Sequence, residues 1–550
     1  MKIAFTTLGC KLNFAESSAL GKALLERGHT RAKQGEEADI CIINTCSVTD
    51  TADHKDRQAI HRIRRQNPKA ILIVTGCYAQ LKPGEIAQIE GVDFVLGQDE
   101  KFHLPEFIES LELRVLISSG ERSEGMEGLE ELKSERIKEL KSERIKELKS
   151  ERIKELKSER IKELKSERIK ELKSEGVKEL EKSQISNLKS QIYISPIREV
   201  EDFHGAYSKD DRTRCFLKVQ DGCNYFCSYC TIPLARGKSR NPSIASVVKE
   251  AQEALKGGAK ELILSGVNIG DFGRSTNERF IDLLKELDKI LDVRCQMTDV
   301  RCKMTDVRCK MTDVRCQMTD VRCQMTDVRC QMTDVRCQMT DVRCQKSEVR
   351  SQDSDYRIRI SSCEPNLLSD EIIDFVANSK HFAPHFHIPL QSGSNEVLKI
   401  MGRRYTRELF AERVAHIKRV MPHAFIGVDC MVGVRGETEE CWRDYVDFIE
   451  QLPVSQLHVF TYSERANTRM LEMDLTVVPL KERERRSKEL HAISARKTEA
   501  FYREHEGYEA TVLWESTHKD GLMFGFTENY IKVSCPYDKT KANTFEKVTI

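Results

Sequence analysis

Three cysteines lie close together in the segment QDGCNYFCSYCTIP, residues 220–233, as Cys223, Cys227 and Cys230. We call them the loop cysteines. Their C-x3-C-x2-C spacing lets all three thiolates reach one iron-sulfur cluster. A [4Fe-4S] cluster held by three cysteines leaves one iron without a protein ligand, and an open coordination position is typical of a catalytic metal. The segment therefore predicts a catalytic cluster.

Zinc is the alternative metal for these thiolates, and it requires a fourth protein ligand. Cys215 in the preceding predicted strand is one candidate, and Cys363 or Cys430 from later strands are the others. Structural zinc usually draws two pairs of closely spaced ligands, so the spacing favours the iron-sulfur cluster.

A second group of cysteines, Cys10, Cys46 and Cys77, follows three predicted strands in the loops LGCKLN, NTCSV and TGCYAQ. We call them the sheet-edge cysteines. Apolar, β-branched runs alternate here with helical spacing, which predicts an open parallel sheet. Ligands bind at the carboxyl edge of such sheets, and three thiols there suit an iron-sulfur cluster or zinc. The alternative is that they are buried apolar residues, an interpretation that fits Cys41 inside its strand.

The residues DGCNYFCSYCTIPLARGKSR resemble the cluster loop of the radical S-adenosylmethionine (SAM) methylthiotransferases. In that superfamily the open iron binds the amino and carboxylate groups of SAM, which is then cleaved reductively. The resemblance implies that the loop cysteines are the catalytic ligands. It also implies that the sheet-edge cysteines hold a second [4Fe-4S] cluster, which carries the sulfur to be transferred.

The later segments resemble the rest of that catalytic domain, which implies an incomplete parallel (β/α) barrel with its active site at the carboxyl ends of the strands. SGVNIG stands where the second strand of the superfamily approaches SAM, so Gly266 and Asn268 are candidate contacts. A glycine after a strand is also a common turn residue. Residues 433–437 read GVRGE where the family usually has G-F-P-G-E.

The segments YEATVLWE, GLMFGFTENYIKV and FEKVTI predict short strands of a small C-terminal β-barrel. GFTENYIKV resembles the end of a TRAM domain, an RNA-binding barrel of many tRNA-modifying enzymes. The alternative is a barrel that only packs against the catalytic domain. Basic stretches at 61–69 (HRIRRQNPK) and 235–240 (ARGKSR) are candidate phosphate contacts.

Two tandem repeats interrupt the chain, KSERIKEL at 133–172 and VRCQMTD at 293–341. An eight-residue period advances a helix by about 80° beyond two turns, so its apolar residues form no steady stripe. The seven-residue unit has coiled-coil spacing but poor helix formers, and its cysteines are too far apart for a metal site. We interpret both repeats as insertions outside the chemistry.

Composition and charge limit the functional classes. The formal net charge is +1, so local basic patches must hold any polyanion. No apolar run approaches the roughly 18 residues that cross a bilayer, and the start MKIAFTTLGCKLN is too short for a secretory signal. We therefore expect a cytoplasmic protein without a membrane partner, whose 20 cysteines are not disulfide-bonded.

The predicted fold class is α/β with three domains and a linker. They are the N-terminal methylthiotransferase domain 1–115, the linker 116–208 with the first repeat, the radical SAM domain 209–505 with the insertion 293–350, and the TRAM-like domain 506–550.

FTTLGCKLN resembles the MtaB type of this family, which converts N6-threonylcarbamoyladenosine at tRNA position 37 to its 2-methylthio derivative. The resemblance implies a transferase with two [4Fe-4S] clusters, SAM, a tRNA substrate and an electron donor, and it leaves the oligomeric state open. The alternatives are the type acting on isopentenyladenosine tRNA, the type acting on a ribosomal protein, and a non-catalytic metal-containing RNA-binding protein.

Overall fold

The computed structural model of the protein describes residues 1–33, 35–47, 49–118, 191–208, 213–290 and 356–550. Two compact units make up the chain: Met1–Phe102 together with Gln191–Ile550, and His103–Ser190. The structure describes residues 103–118 of the second unit, which include the helix Leu104–Ser118. Both repeats, and with them the expected insertion 293–350, lie outside the described residues.

The first unit begins with a six-stranded parallel sheet in the order β2-β1-β3-β4-β5-β6. These strands are, in chain order, Lys2–Thr7, Thr30–Arg31, Ile40–Thr45, Ile71–Gly76, Phe94–Leu96 and Gln191–Tyr193. The predicted α/β class and the N-terminal parallel sheet are therefore confirmed. Strand β6 comes from the end of the segment that we assign to the linker.

Helices connect the strands of this sheet. They span Lys11–Glu26, Asp50–Gln66, Cys77–Leu81 and Pro83–Ala87. Thr49 caps the start of the helix Asp50–Gln66, and its hydroxyl accepts a hydrogen bond from the Ala52 amide. The first backbone amides of a helix have no partner within the helix, and this hydrogen bond satisfies one of them. Strand β3 is buried along its whole length, as a central parallel strand with both faces covered must be.

The central part of the first unit has two three-stranded parallel sheets, β7-β8-β9 and β10-β11-β12. The strands are Arg214–Lys218, Glu261–Ser265, Arg357–Ile360, His385–Gln391, Phe425–Val432 and Gln456–Thr461. Parallel bridges from Ile358 to Phe382 and from Ser362 to His387 link the two sheets. Six parallel strands thus follow one another in chain order, as an incomplete barrel requires.

Helices cover one face of these strands. They span Ile244–Lys256, Phe280–Asp288, Asp370–Asn378, Arg407–Val420, Glu439–Gln451 and Leu480–Arg503, while the short helices Ile232–Arg236 and Asn395–Ile400 contribute no residue to the core beneath them. Side chains alternate between faces along each strand. Ile358 and Ile360 of β9 therefore join the helix-covered core, whereas Arg357 and Arg359 lie on the opposite face. We call this opposite face the inner face.

The helix Lys11–Glu26 covers the inner face at β7 and β8. Its Ala15, which is 0% exposed, forms a buried cluster with Phe216 of β7 and Ile263 of β8. At β11 and β12 the inner face is open instead, as the 45% exposure of the Phe460 side chain on β12 shows. The N-terminal helix therefore closes one half of the inner face and leaves the other half accessible.

The C-terminal strands form an antiparallel sheet in the order β15-β14-β13-β16. They span Glu509–Lys519, Leu522–Phe526, Lys532–Pro536 and Phe545–Thr549 as β13 to β16. The register shifts between Trp514 and His518, and such an irregularity increases the local twist of a sheet. A small antiparallel β-domain at the C-terminus is therefore present.

The turn of GFTENYIKV between β14 and β15 docks against the first residues of the central parallel strands. The Arg357 guanidinium donates to the Phe526 carbonyl at 2.9 Å, and that of Arg359 donates to the Glu528 carbonyl at 3.1 Å. The buried Glu261 carboxylate pairs with both arginines. This motif therefore has a structural role in attaching the C-terminal sheet.

Within the described ranges, no helix combines the length and the apolar character that crossing a membrane would need.

Candidate active site

The sheet-edge cysteines lie where β1, β3 and β4 end. Cys10 precedes the helix Lys11–Glu26, Cys46 follows β3, and Cys77 begins the helix after β4. A Cβ placed on Gly9 would come within 2.9 Å of the Cys46 Sγ, so the first two loops touch. The structure thus brings these cysteines to one edge of the sheet, as the parallel topology predicts.

Polar side chains fix these loops. The Asn13 amide donates to the Leu8 carbonyl at 2.8 Å and to the Thr45 carbonyl at 3.0 Å, which ties the loop after β1 to the end of β3. The Gln98 amide donates to the Cys77 Sγ at 3.1 Å. Burial raises the pKa of the Cys77 thiol, while the positive charge of Arg236 opposes that rise.

The loop cysteines follow β7. The Cys223 amide donates to the Gly237 carbonyl and the Cys230 amide donates to the Cys227 carbonyl, both at 3.0 Å, so the backbone folds tightly here. Burial, together with the neighbouring Cys227 thiol, raises the pKa of Cys223 to about 11 and that of Cys230 to about 12. The three thiols are therefore close enough to interact electrostatically.

One buried arginine faces the loop cysteines. The Arg403 Nη1 lies 3.3 Å from the Cys227 Sγ, and its Nη2 pairs with the Glu364 carboxylate. Burial raises the pKa of Cys227, and Arg403 counteracts this because a cation favours the thiolate.

Gly266 and Asn268 lie in the loop after β8. A Cβ on Gly266 would come within 2.9 Å of the Gln220 Oε1, which accepts the backbone amides of Val267 and Asn268. Glycine is therefore required here for packing. Asn268 is 2% exposed, and neither its amide oxygen nor its amide nitrogen makes a hydrogen bond of good geometry among the described residues, although the Tyr225 hydroxyl lies near its side chain. Such an orphaned amide is expected to meet a ligand.

A buried ionic network joins the two groups of cysteines. The Glu16 carboxylate accepts from Lys101 at 2.6 Å, from Lys218 at 2.9 Å and from Arg236 at 3.0 Å. Burial alone would raise the pKa of Glu16, but these three cations hold it well below its usual range. We call these four residues the Glu16 network.

Arg236 connects this network to both cysteine groups. Its guanidinium donates to the Asn13 side chain at 2.6 Å and is electrostatically coupled to Cys77 and Cys10. It also pairs at 2.9 Å with Asp221, which is two residues before the first loop cysteine. The short helix after the loop cysteines therefore touches the support of the sheet-edge cysteines.

The candidates for a fourth zinc ligand are buried in the hydrophobic core. Cys215, Cys363 and Cys430 all belong to the cluster packed between strands and outer helices, away from the inner face. In the described residues, no three His, Cys, Asp or Glu side chains are arranged as ligands of a single metal ion. Thiolates on a cubane each bind a different iron, so they need not converge on one point.

The GVRGE loop is held by charged side chains. The Gly433 amide donates to the Glu437 carboxylate at 2.7 Å, which pairs at 2.7 Å with Arg486. Gly433 has a φ of +75°, and a Cβ there would overlap Arg483. Val434 is buried where the family usually has an apolar Phe. The loop is therefore ordered without the usual proline.

The phosphate-contact prediction is wrong for the arginines of ARGKSR. Arg236, at the end of the helix Ile232–Arg236, and Arg240, four residues further along the chain, are both buried and both pair with Asp221. In HRIRRQNPK, Arg64 is bound by the Asp93 carboxylate at 2.7 Å. Arg62 and Arg65 are exposed and stay candidates.

Several residues of the site were not identified from the sequence. They are Glu16, Asn13, Gln98, Lys101, Lys218, Gln220 and Arg403. Their partners are far away in the chain, so no local spacing marks them. A charged residue inside an apolar stretch is the available signal, as with Lys218 in TRCFLKVQ.

Two family models match the chain. Residues 2–97 match the uncharacterized protein family UPF0004, and residues 217–308 and 336–449 match the radical SAM superfamily. Together with the parallel strands and the C-x3-C-x2-C loop, these matches define a radical SAM protein with an additional N-terminal sheet.

Curated relatives match nearly the whole chain. The threonylcarbamoyladenosine tRNA methylthiotransferase MtaB of Bacillus subtilis is 30% identical over 537 residues, covering 96% of this chain and 89% of the relative. The MtaB of Aquifex aeolicus is 27% identical, covering 97% and 96%. A tRNA-2-methylthio-N(6)-dimethylallyladenosine synthase of Desulfitobacterium hafniense is 23% identical, covering 100% and 94%. The chain belongs to the MtaB-type radical SAM methylthiotransferase family, which confirms the resemblance.

We predict that Glu16→Gln destabilises the protein by about 3 kcal/mol, because three buried cations lose their common anion. Glu26→Gln on the same helix is the control; its exposed pair with Lys22 should contribute less than about 1 kcal/mol. Urea unfolding measures both. Since the folded pKa of Glu16 lies below the ordinary 4.5, its contribution should be complete above that pH and decline below it. Equal effects of both substitutions would contradict the prediction.

Proposed function

We propose that this chain converts N6-threonylcarbamoyladenosine at tRNA position 37 to its 2-methylthio derivative. The observation that carries the proposal is the contact of Arg236 with the supports of both cysteine groups, in a chain of the MtaB-type family. A transferase that uses both groups in one reaction needs them close together. We assign residues 1–115, 209–505 and 506–550 to the three functional domains, with 116–208 as the linker.

We assign one [4Fe-4S] cluster to Cys223, Cys227 and Cys230. The three thiols fit a [4Fe-4S] cluster, because they interact with one another and Arg403 favours the thiolate of Cys227. When bound, the clusters and SAM supply reductive radical chemistry and the sulfur for transfer. The core position of Cys215, Cys363 and Cys430 supports an open coordination site, since no fourth thiol from these strands reaches the loop.

The second [4Fe-4S] cluster is assigned to Cys10, Cys46 and Cys77. Two loops in contact and a third held by Gln98 supply three thiols at one edge. Arg236 provides the positive charge that favours the thiolates of Cys10 and Cys77.

Asn268, with Gly266, is assigned to SAM. The orphaned amide of Asn268 offers two donors and one acceptor, which suits the amino and carboxylate groups of an amino acid. The close packing of Gly266 on Gln220 orients this loop, since Gln220 accepts the Asn268 amide at 2.8 Å.

We assign tRNA binding to a TRAM-like C-terminal domain and the exposed Arg62 and Arg65. The antiparallel sheet fits a small RNA-binding domain, although the turn of GFTENYIKV is used for docking. We further propose a cytoplasmic location, where the tRNA and an electron donor are present. For the six central strands we propose an incomplete barrel.

The proposed function is tested by reaction of the anaerobically reconstituted protein with SAM, a reductant and tRNA carrying threonylcarbamoyladenosine. Mass spectrometry of the digested nucleosides should detect the 2-methylthio product. tRNA with isopentenyladenosine should give none. Product on isopentenyladenosine alone, or on neither tRNA, would contradict the proposal.

We predict that changing Cys10, Cys46 and Cys77 together to Ala lowers the iron content from about eight to about four per chain. SAM cleavage should persist while methylthiolation is lost, because the two cysteine groups have different roles. Cys41→Ala, a buried cysteine inside β3, is the control and should keep both clusters. Loss of SAM cleavage in a folded triple variant would refute this division.

Asn268→Ala should weaken SAM binding about tenfold, as expected when hydrogen bonds to charged groups are lost. Equilibrium binding of SAM to the reconstituted protein measures this effect. Asn378→Ala, which removes an exposed amide bonded to the Asp374 carbonyl, is the matched control. Unchanged SAM affinity in Asn268→Ala would remove this residue from the SAM site.

A further inference from the structure

Arg465 lies in the loop that follows β12, residues 462–470 (YSERANTRM). We call this segment the β12 loop. The Arg465 side chain is buried, and its Nη2 donates to the Ser47 carbonyl at 3.1 Å and to the Ser47 hydroxyl at 2.6 Å. Ser47 directly follows Cys46. One buried guanidinium therefore holds the backbone next to a sheet-edge cysteine.

The β12 loop also contacts the segment of the loop cysteines. The Met470 amide donates to the Ser228 carbonyl at 2.7 Å, and Ser228 directly follows Cys227. The Thr231 hydroxyl, next to the last loop cysteine, donates to the Ser47 carbonyl at 3.4 Å, so the two cysteine-bearing segments touch each other there. The β12 loop is thus joined by hydrogen bonds to one segment of each cysteine group.

Two carboxylates complete the contacts of Arg465. Its Nη1 pairs with Asp50 at 2.6 Å, and its Nη2 pairs with Asp53 at 3.0 Å. The Ser47 hydroxyl donates to the Asp53 carboxylate at 2.7 Å, which closes a triangle of buried groups. The planar fork of arginine makes such contacts in several directions at once, whereas a lysine ammonium is a single point charge.

The β12 loop is held in place by contacts outside the N-terminal sheet. The Thr468 hydroxyl donates to the Arg465 carbonyl at 2.7 Å. The Glu464 carboxylate pairs with Arg435 at 3.1 Å and with Arg483 at 3.4 Å. Arg435 stands in the GVRGE loop at the position where the family usually has proline. The β12 loop is therefore a supported element that can fix the segment after Cys46.

The three sheet-edge cysteines have different supports. The Glu16 network holds the helix that follows Cys10, and Gln98 is bonded to Cys77. Arg465 holds the segment after Cys46, and the Asp56 carboxylate accepts the Cys46 amide at 2.8 Å. The Arg465 contact is the one of these supports that starts from the end of the last central strand.

We propose that Arg465 is a positioning residue for the second cluster, because it holds the Cys46 segment at the separation from the loop cysteines that sulfur transfer needs. This deepens the proposed function and rests on it. A displacement on the order of 1 Å can lower the rate of a step between two held groups about a hundredfold. Arg465 therefore affects sulfur transfer and not the cleavage of SAM, which is assigned to the loop cysteines.

The first test measures the magnetic interaction between the two clusters in the reconstituted protein after reduction with dithionite. Electron paramagnetic resonance without tRNA gives this interaction, which falls with the cube of the distance between two spins. Arg465→Gln should weaken it while the iron content stays the same. Arg469→Gln removes an exposed arginine of the same loop and should leave the interaction unchanged.

The second test compares the methylthio product with the SAM that is cleaved reductively. Arg465→Gln should lower the product formed per SAM cleaved at least about tenfold and leave the rate of SAM cleavage within about twofold. Arg465→Lys keeps the charge but lacks the fork, so it should resemble Arg465→Gln. A restored ratio in Arg465→Lys would contradict a positioning role, because it would show that the charge alone is needed.

Ser47→Ala is a milder variant for the case that Arg465→Gln does not fold. It removes the hydroxyl that joins Arg465 and Asp53 but leaves their ion pair, so it should change both readouts in the same direction and by less. An unchanged magnetic interaction, or an unchanged ratio of product to SAM cleaved, in a folded variant with both clusters would overturn the proposal. A failure of the proposed function is seen separately, as absence of product from the unaltered protein, and does not alter the magnetic comparison.

Discussion

The arrangement of both cysteine groups depends on one buried carboxylate. Glu16, from the first helix, is surrounded by Lys101 of the N-terminal sheet region and by Lys218 and Arg236 of the region of the central strands. Removing charges from water is costly, so such a cluster is stable only when every member is paired in good geometry. The network therefore fixes the first helix, and with it Cys10, relative to the loop cysteines.

This docking also explains why the inner face is divided into two halves. The helix that carries Glu16 buries Ala15 against β7 and β8, so apolar packing and the ionic network hold the same element. The half at β11 and β12 receives no such cover, and His458 and Phe460 stay exposed there. A site beside the uncovered half therefore has a rigid wall on one side and access on the other.

The sequence predicted the elements better than their partners. The six cysteines and the parallel strands were recognisable because spacing and periodicity are local properties. Arg236 and Arg240 were misinterpreted as phosphate contacts, because their partners Glu16 and Asp221 become neighbours only in the fold. Likewise, GFTENYIKV resembles the end of an RNA-binding TRAM domain, but its turn binds the arginines of β9.

In both cysteine groups, burial disfavours the thiolate form and one buried arginine opposes that effect. Burial raises the pKa of Cys77 and of Cys227, which disfavours the thiolates that bind metal. Each group has one buried arginine that opposes this effect, Arg236 for Cys77 and Arg403 for Cys227. Each arginine is in turn held by a carboxylate, Glu16 or Glu364. Because the carboxylate also partly cancels the arginine charge, the geometry of each pair sets how strongly the neighbouring thiolates are stabilised.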